Sequence, residues 1–259
     1  MKRIVPFLSL LLLLIFTSCL DNLSETTIKS DGSGTIVNTY EMGKILGLVK
    51  SMGGGGEELK AIENLKMDTI IEFKDIADSI ADLSNAEKKL LTKATMHILA
   101  NYDKEQFSFS FSAPFSKPSE IADINKVLKK SKGNVMEKQL SKVFPGGGDD
   151  MDAQMGKPGD GPDFDDVYNY SYASGKLTKK VDKGKYDELM KNEMFASLQQ
   201  MSQMGMPINF KSVINLPNKA KKTSGKGLKV SDDGKKITIE GTLDDFLEDA
   251  SYFDYEIEY

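Results

Sequence analysis

Met96-His97-Ile98-Leu99-Ala100-Asn101 and Phe107-Ser108-Phe109-Ser110-Phe111-Ser112, with 102–106 between them, decide the fold class. Met96, Ile98, Ala100 and Tyr102 alternate with polar partners, and three phenylalanines alternate with three serines. A period of two with one apolar face is the pattern of antiparallel strands that cover a core on one side and meet water on the other. Asp103-Lys104-Glu105 is the natural turn between them.

Working outward, the same alternation recurs. Met67, Thr69, Ile71 and Phe73 predict a strand with one buried face, and 75–83 reads as a short helix. Ser84-Asn85-Ala86-Glu87 has the form of a capping box that starts a helix ending near Lys93. Lys117-Pro118-Ser119-Glu120 opens another helix, with Ile121, Ile124, Val127 and Leu128 on one side. Towards the start, 25–29 and 35–40 are rich in β-branched residues and flank Asp31-Gly32-Ser33-Gly34, which predicts a hairpin. Met42, Ile45, Leu46 and Val49 then recur at helical spacing until Gly53-Gly54-Gly55-Gly56. That glycine run ends a helix and lacks a following Lys-Ser or Lys-Thr, so it is no phosphate loop.

Between 145 and 166 the composition changes to Gly, Pro and seven aspartates, too poor in apolar groups to offset the entropy of ordering. This predicts an acidic flexible linker or long loop. Asp150-Met151-Asp152-Ala153-Gln154 begins like a calcium loop, but Met155 stands where glycine is needed and the closing glutamate is missing. Beyond it, 167–173 and 176–181 form a second hairpin across Ser174-Gly175, followed by a helix over 185–203. Hairpin followed by helix repeats the order at 26–52, which suggests a weak internal duplication. Strands at 208–216, 228–230 and 237–239 follow, with a turn at Ser231-Asp232-Asp233-Gly234, and the chain closes on Phe253, Tyr255, Ile257 and Tyr259 in alternation with acidic residues. The expected fold is α+β, with two hairpin-plus-helix subdomains at 25–144 and 167–259.

The first nineteen residues have a different character. Met1-Lys2-Arg3 is a basic head, 4–16 is almost unbroken apolar sequence, and Thr17-Ser18-Cys19 closes it. That order, with an apolar run too short to span a bilayer comfortably, is the order of a secretory signal peptide at 1–18. Phe16-Thr17-Ser18-Cys19 resembles the lipobox of bacterial lipoproteins, with Phe where Leu is usual. The resemblance implies cleavage before Cys19, acylation of its thiol with palmitate-type chains, and membrane attachment through it; residues 19–24 would be a lipid-anchored tether. Leu20 after the cysteine, where no aspartate stands, is compatible with outer-membrane sorting by analogy with enteric lipoproteins. Ile214-Asn215-Leu216-Pro217, Ser231-Asp232-Asp233-Gly234-Lys235 and the alternating terminal strand, with Asp31-Gly32-Ser33-Gly34 as an echo, resemble the LppM-type secreted lipoprotein domain and uncharacterised Bacteroidetes lipoproteins. That resemblance covers about the last fifty residues. It implies an α+β fold on a lipid anchor and brings no catalytic residues.

Composition limits the chemistry. Without Lys2 and Arg3, the chain from Cys19 onward carries 32 basic against 39 acidic residues, net −7, which argues against nucleic acid. Cys19 is the only cysteine, so no disulfide forms within the chain and thiolate zinc or iron–sulfur sites are excluded. His97 is the only histidine; with Thr95 and Asn101 it falls on the polar face of its strand, where it reads as structural and not as the base of a triad. Asp244-Asp245 fits an acid/base pair, a solvated face or a helix N-terminus alike. Met190, Met194, Met201, Met204 and Met206 could present thioethers to copper(I), but Tyr186, Met190, Met194, Leu198 and Met201 read first as an apolar stripe packing the core. Lys219, Lys221, Lys222 and Lys226 form a basic turn that is solvated or touches anionic groups. The reading is a lipid-anchored, non-enzymatic binding or structural protein of the cell envelope, with no cofactor, no metal and an envelope protein or glycan as partner. The alternative is an envelope hydrolase or a copper-handling lipoprotein.

Overall fold

The structure is a computed structural model that describes residues 20–44, 47, 66–80, 83–143, 164–192, 195, 198–200, 202 and 207–259. The strands are β1 (Leu20–Ile28), β2 (Gly34–Glu41), β3 (Lys66–Glu72), β4 (Thr95–Asn101), β5 (Gln106–Phe115), β6 (Tyr168–Ala173), β7 (Lys176–Val181), β8 (Ile208–Asn215), β9 (Lys222–Ser224), β10 (Leu228–Val230), β11 (Lys236–Thr242) and β12 (Tyr255–Glu258). The helices are α1 (Asn85–Leu91), α2 (Ile121–Val143), α3 (Lys183–Leu189) and α4 (Leu243–Glu248). The class is α+β with two sheets in which antiparallel pairing dominates. The larger has the order β10-β11-β8-β1-β2-β5-β4-β3, the smaller β6-β7-β12-β9.

Alternation places the core. Met96, Ile98 and Ala100 of β4 pair with Phe111, Phe109 and Phe107 of β5, and all six are buried. Each phenylalanine contributes about 1.5–3 kcal/mol by leaving water. The buried Ile121, Ile124, Val127 and Leu128 of α2 join the same core. Ser131, also buried on α2, satisfies its hydroxyl by donating to the carbonyls of Val127 and Leu128, both at 3.0 Å. The capping box at α1 is present: Ser84 Oγ accepts from Glu87 N at 3.3 Å, and Glu87 Oε2 accepts from Ser84 N at 2.8 Å. Gly34 lies under the Phe115 ring and against the Thr27 carbonyl, so a Cβ there would collide with both.

Several expectations change. Residues 20–24 form no tether: they are the first half of β1, paired to β2 on one side and β8 on the other, because backbone groups there find complete ladders. The boundary between 25–144 and 167–259 divides the chain but not the larger sheet. β1 runs parallel to β8, which brings β8, β11 and β10 from the second half beside the first hairpin. The end of the expected linker is folded. Phe164, Asp165 and Asp166 lie in a 3-10 turn, with the Phe164 ring 4.7 Å from Phe210 and 5.4 Å from Phe246; residues 144–163 lie outside the described residues. The helix expected at 75–83 is two 3-10 turns, Phe73–Asp75 and Ala77–Ser79, interrupted at Ile76 with φ −127°. β3 is an edge strand, so Thr69 is exposed and Ile70 shows 67% of its surface. The helix expected over 185–203 begins at Lys183, where Asp182 caps it, and is interrupted after Leu189 by a turn through Lys191; Phe195, Leu198, Gln199, Gln200 and Ser202 are helical again. The signal peptide 1–18, Cys19 and the glycine run 53–56 lie outside the described residues, as does most of the helix expected from Met42 onward.

Candidate functional site

The apolar inner face of the larger sheet is interrupted at its centre. By register, Asn22, Ser24 and Thr26 of β1 stand on this face, level with Phe210, Ser212 and Ile214 of β8 and with Tyr40, Asn38 and Ile36 of β2. A buried central strand is ordinarily apolar towards its core, and this one is not. The smaller sheet meets the polar strip with polar groups of its own. Alternation along β7 sends Leu177 and Lys179 inward, and Lys179 is 8% exposed. Its Nζ sits 4.0 Å from the Tyr168 ring centre and 5.4 Å from that of Tyr170, where the ring faces attract a cation. Asp165 completes the neutralisation, 3.2 Å from Lys179 Nζ, and accepts from the Tyr170 hydroxyl at 2.7 Å.

Two more phenols close the seam, Tyr172 and Tyr255, whose hydroxyls lie 2.9 Å apart. Tyr168 donates to the Ala250 carbonyl at 2.8 Å. Burial pushes the phenols of Tyr168, Tyr170, Tyr172 and Tyr255 up from their ordinary value, with Asp165 adding to the shift at each. All four therefore remain protonated; Tyr168 and Tyr170 donate, and within the Tyr172–Tyr255 pair one hydroxyl donates to the other. Between the sheets a cavity of about 40 Å³ is lined by Ser24, Thr26, Lys179, Tyr170, Tyr172 and Tyr255 among others, room for on the order of three waters. Nearby on the same face, the buried Oδ1 of Asn22 has no hydrogen-bond partner among the described residues. Chemically the seam offers a neutralised cation, donors and hydroxyls, all turned towards one another.

A second hollow, of about 230 Å³, opens beside α3 and is lined by Val181, Lys183, Tyr186 and residues 248–251. Its carboxylate at Asp249 is held down at about 2, first by Lys226 and then by Ser251. Asp249 also caps the 3-10 turn Ala250–Phe253, so its charge is engaged in structure. The outer face of the larger sheet is different again. Register places Thr35 and Thr39 of β2, Ser108, Ser110 and Ser112 of β5, and Thr95 and His97 of β4 on it. All are partly exposed, and among the described residues the helices lie against the other face. Thr39 Oγ1 and Ser110 Oγ share a hydrogen bond of 2.9 Å.

The residues singled out by sequence are not brought together. His97 sits on this outer face with Nε2 2.6 Å from Asp68 Oδ1, away from the inner hydroxyls. Asp245 forms a capping box with Thr242, accepting from its N at 2.7 Å, and Asp244 accepts from the Ser202 hydroxyl; of the three readings, the pair is a helix N-terminus. Lys221 donates to the Tyr259 carbonyl and Lys226 pairs with Asp249, so the basic turn ties the chain end and a cap together. Tyr186 and Leu198 pack against the core as expected, but Met190 is 39% exposed. Met194, Met201, Met204 and Met206, and the aspartates at 150–154, lie outside the described residues. No group of three or more His, Cys, Asp or Glu side chains that could hold a metal ion occurs among the described residues. The seam itself escaped the sequence reading, although Tyr168, Tyr170 and Tyr172 in alternation, opposite a lysine at an inward position of β7, signal it.

No family model matches the chain, and no curated protein matches it. Among solved structures the chain is similar to the folded domain of LppM from Mycobacterium tuberculosis, determined by NMR. The sequences are 8% identical, 95% of this chain and 94% of that one are covered, and the TM-score is 0.36.

Proposed function

We propose that this chain is a lipid-anchored protein of the cell envelope, held in the outer membrane through Cys19, whose role is binding or structural and not enzymatic. The observation that carries the second part is the contrast between its two polar surfaces. Between the sheets, Lys179, Asp165, Tyr170, Tyr172 and Tyr255 are engaged with one another around a space of about 40 Å³, too small for more than a few waters. The outer face of the larger sheet presents rows of hydroxyls over several strands, an extended surface suited to an envelope glycan or protein. The anchor is supported by the basic head, apolar run and Thr17-Ser18-Cys19 ending.

Two experiments test the proposal. Cys19→Ala abolishes fatty-acid labelling if the thiol is the acceptor, and undiminished labelling overturns the anchor. A photo-cross-linker at Ser110 on the outer face captures an envelope component in intact cells, whereas the same group at Asp232, in the turn between β10 and β11, does not. Equal capture from both positions, or none from Ser110, overturns the binding surface.

A further inference from the structure

We infer that the end of the larger sheet where β1 begins lies directly against the bilayer, with no spacer between anchor and fold. The inference rests on acylation of Cys19 as proposed above and adds the orientation that the fold imposes on it. Leu20 follows Cys19 in sequence, so their Cα atoms are about 3.8 Å apart. Leu20 is already in the ladder, opposite Ile208, and Asp21 is paired on both sides, with Glu41 and Asn209. Asn209 adds a side-chain hydrogen bond of 2.8 Å to Asp21. β1 is fourth from one edge of an eight-stranded sheet. The strand that follows the attachment point is therefore held in the ladder from its first residue, near the middle of the sheet's end and not at a corner.

Register names the parts that share this end. β2 leaves it at Glu41, and Met42 N continues the ladder by donating to Phe107 O at 2.7 Å. β5 enters it at Gln106, which is exposed, after the turn at 102–105. At the opposite end β1 finishes at Ile28, and the turn carrying the exposed Ser30 follows. Eight steps along β1 separate the two ends by roughly 26 Å. Acyl chains inserted in the membrane thus draw Gln106 and its turn to the headgroups and hold Ser30 well above them.

The test uses the full-length, lipidated protein in vesicles whose headgroups carry a spin label. With Cys19 acylated, a cysteine introduced at Gln106 or at Ser30 is the only free thiol, and each receives a fluorophore. The expected result is loss of the greater part of the emission at 106 and none at 30. Inserting twenty Gly/Ser residues between Cys19 and Leu20 supplies a chain of about 25 Å root-mean-square span and restores emission at 106, with lipid labelling unchanged. Absence of fatty-acid labelling in the parent defeats the anchor itself. Normal labelling with equal emission at the two sites, with quenching at 30, or with quenching at 106 that survives the insertion, overturns the orientation while leaving the anchor intact.

Discussion

Two regions of one sheet face make opposite choices. Over β5 and β4 the inner surface is Phe107, Phe109, Phe111, Met96, Ile98 and Ala100, closed by the apolar side of α2. Over β1 it is Asn22, Ser24 and Thr26, with Ser212 of β8 between Phe210 and Ile214, closed by tyrosines and Lys179. The first region is held by removal of carbon from water, which tolerates no cavity. The second is closed by the paired polar groups of the smaller sheet, Lys179 with Asp165, Tyr170 with Asp165 and Tyr172 with Tyr255, each of which becomes costly once its partner is removed.

This contrast can be broken at its strongest point first. Phe109→Ala should cost about 3–5 kcal/mol, because the side chain is buried and the surroundings cannot fill the space. Denaturant unfolding measures it, and a cost near that of a surface change would mean the apolar half is loosely packed. Tyr172→Phe should cost less, about 1–3 kcal/mol, by leaving the buried Tyr255 hydroxyl without its partner. The double variant with Tyr255→Phe should recover part of the loss, and additive losses would show that the two hydroxyls do not depend on each other. Smaller still is Asn22→Ala. Its Oδ1 is buried without a partner among the described residues, so the relief offsets much of the lost packing and leaves a change within about 1 kcal/mol.

The smallest effect appears only with pH. Glu87 is held at about 2, below its ordinary 4.5, by Lys130 on α2 first and then by the N–H and hydroxyl of Ser84. A carboxyl with a lowered value in the folded state stabilises above its ordinary value, and the contribution disappears as pH falls from 4.5 through about 2. Glu87→Gln should therefore melt lower than the parent at neutral pH and converge with it near pH 2. A constant gap between the two melting curves would show that the charge is not the cause.

The same contrast explains what could be read in the sequence. Phe107, Phe109 and Phe111 between serines announce both strand and facing, and the β4–β5 hairpin, the β6–β7 hairpin and the Ser84 capping box all stand where local rules put them. β1 gave no such signal over its first half. Asp21, Asn22, Leu23 and Ser24 look like exposed spacer, since hydroxyls and amides on an inward face are indistinguishable in sequence from those facing water. Nor does local pattern reveal that β8 is the neighbour of β1, because parallel partners need share no turn. The seam was missed for a related reason: its lysine and carboxylate stand fourteen positions apart, on β7 and on the 3-10 turn before β6.

The parallel pairing of β1 with β8 also sets a clock. Asp21 and Asn209 are bonded across 188 positions, and a ribosome adding about 5–20 residues per second needs roughly ten to forty seconds to make that much chain. Until β8 is in place, a β1–β2 hairpin would leave one ladder of β1 unfilled, a template for any passing strand. Asp21 and Glu25 on that strand put like charges in the path of a second copy.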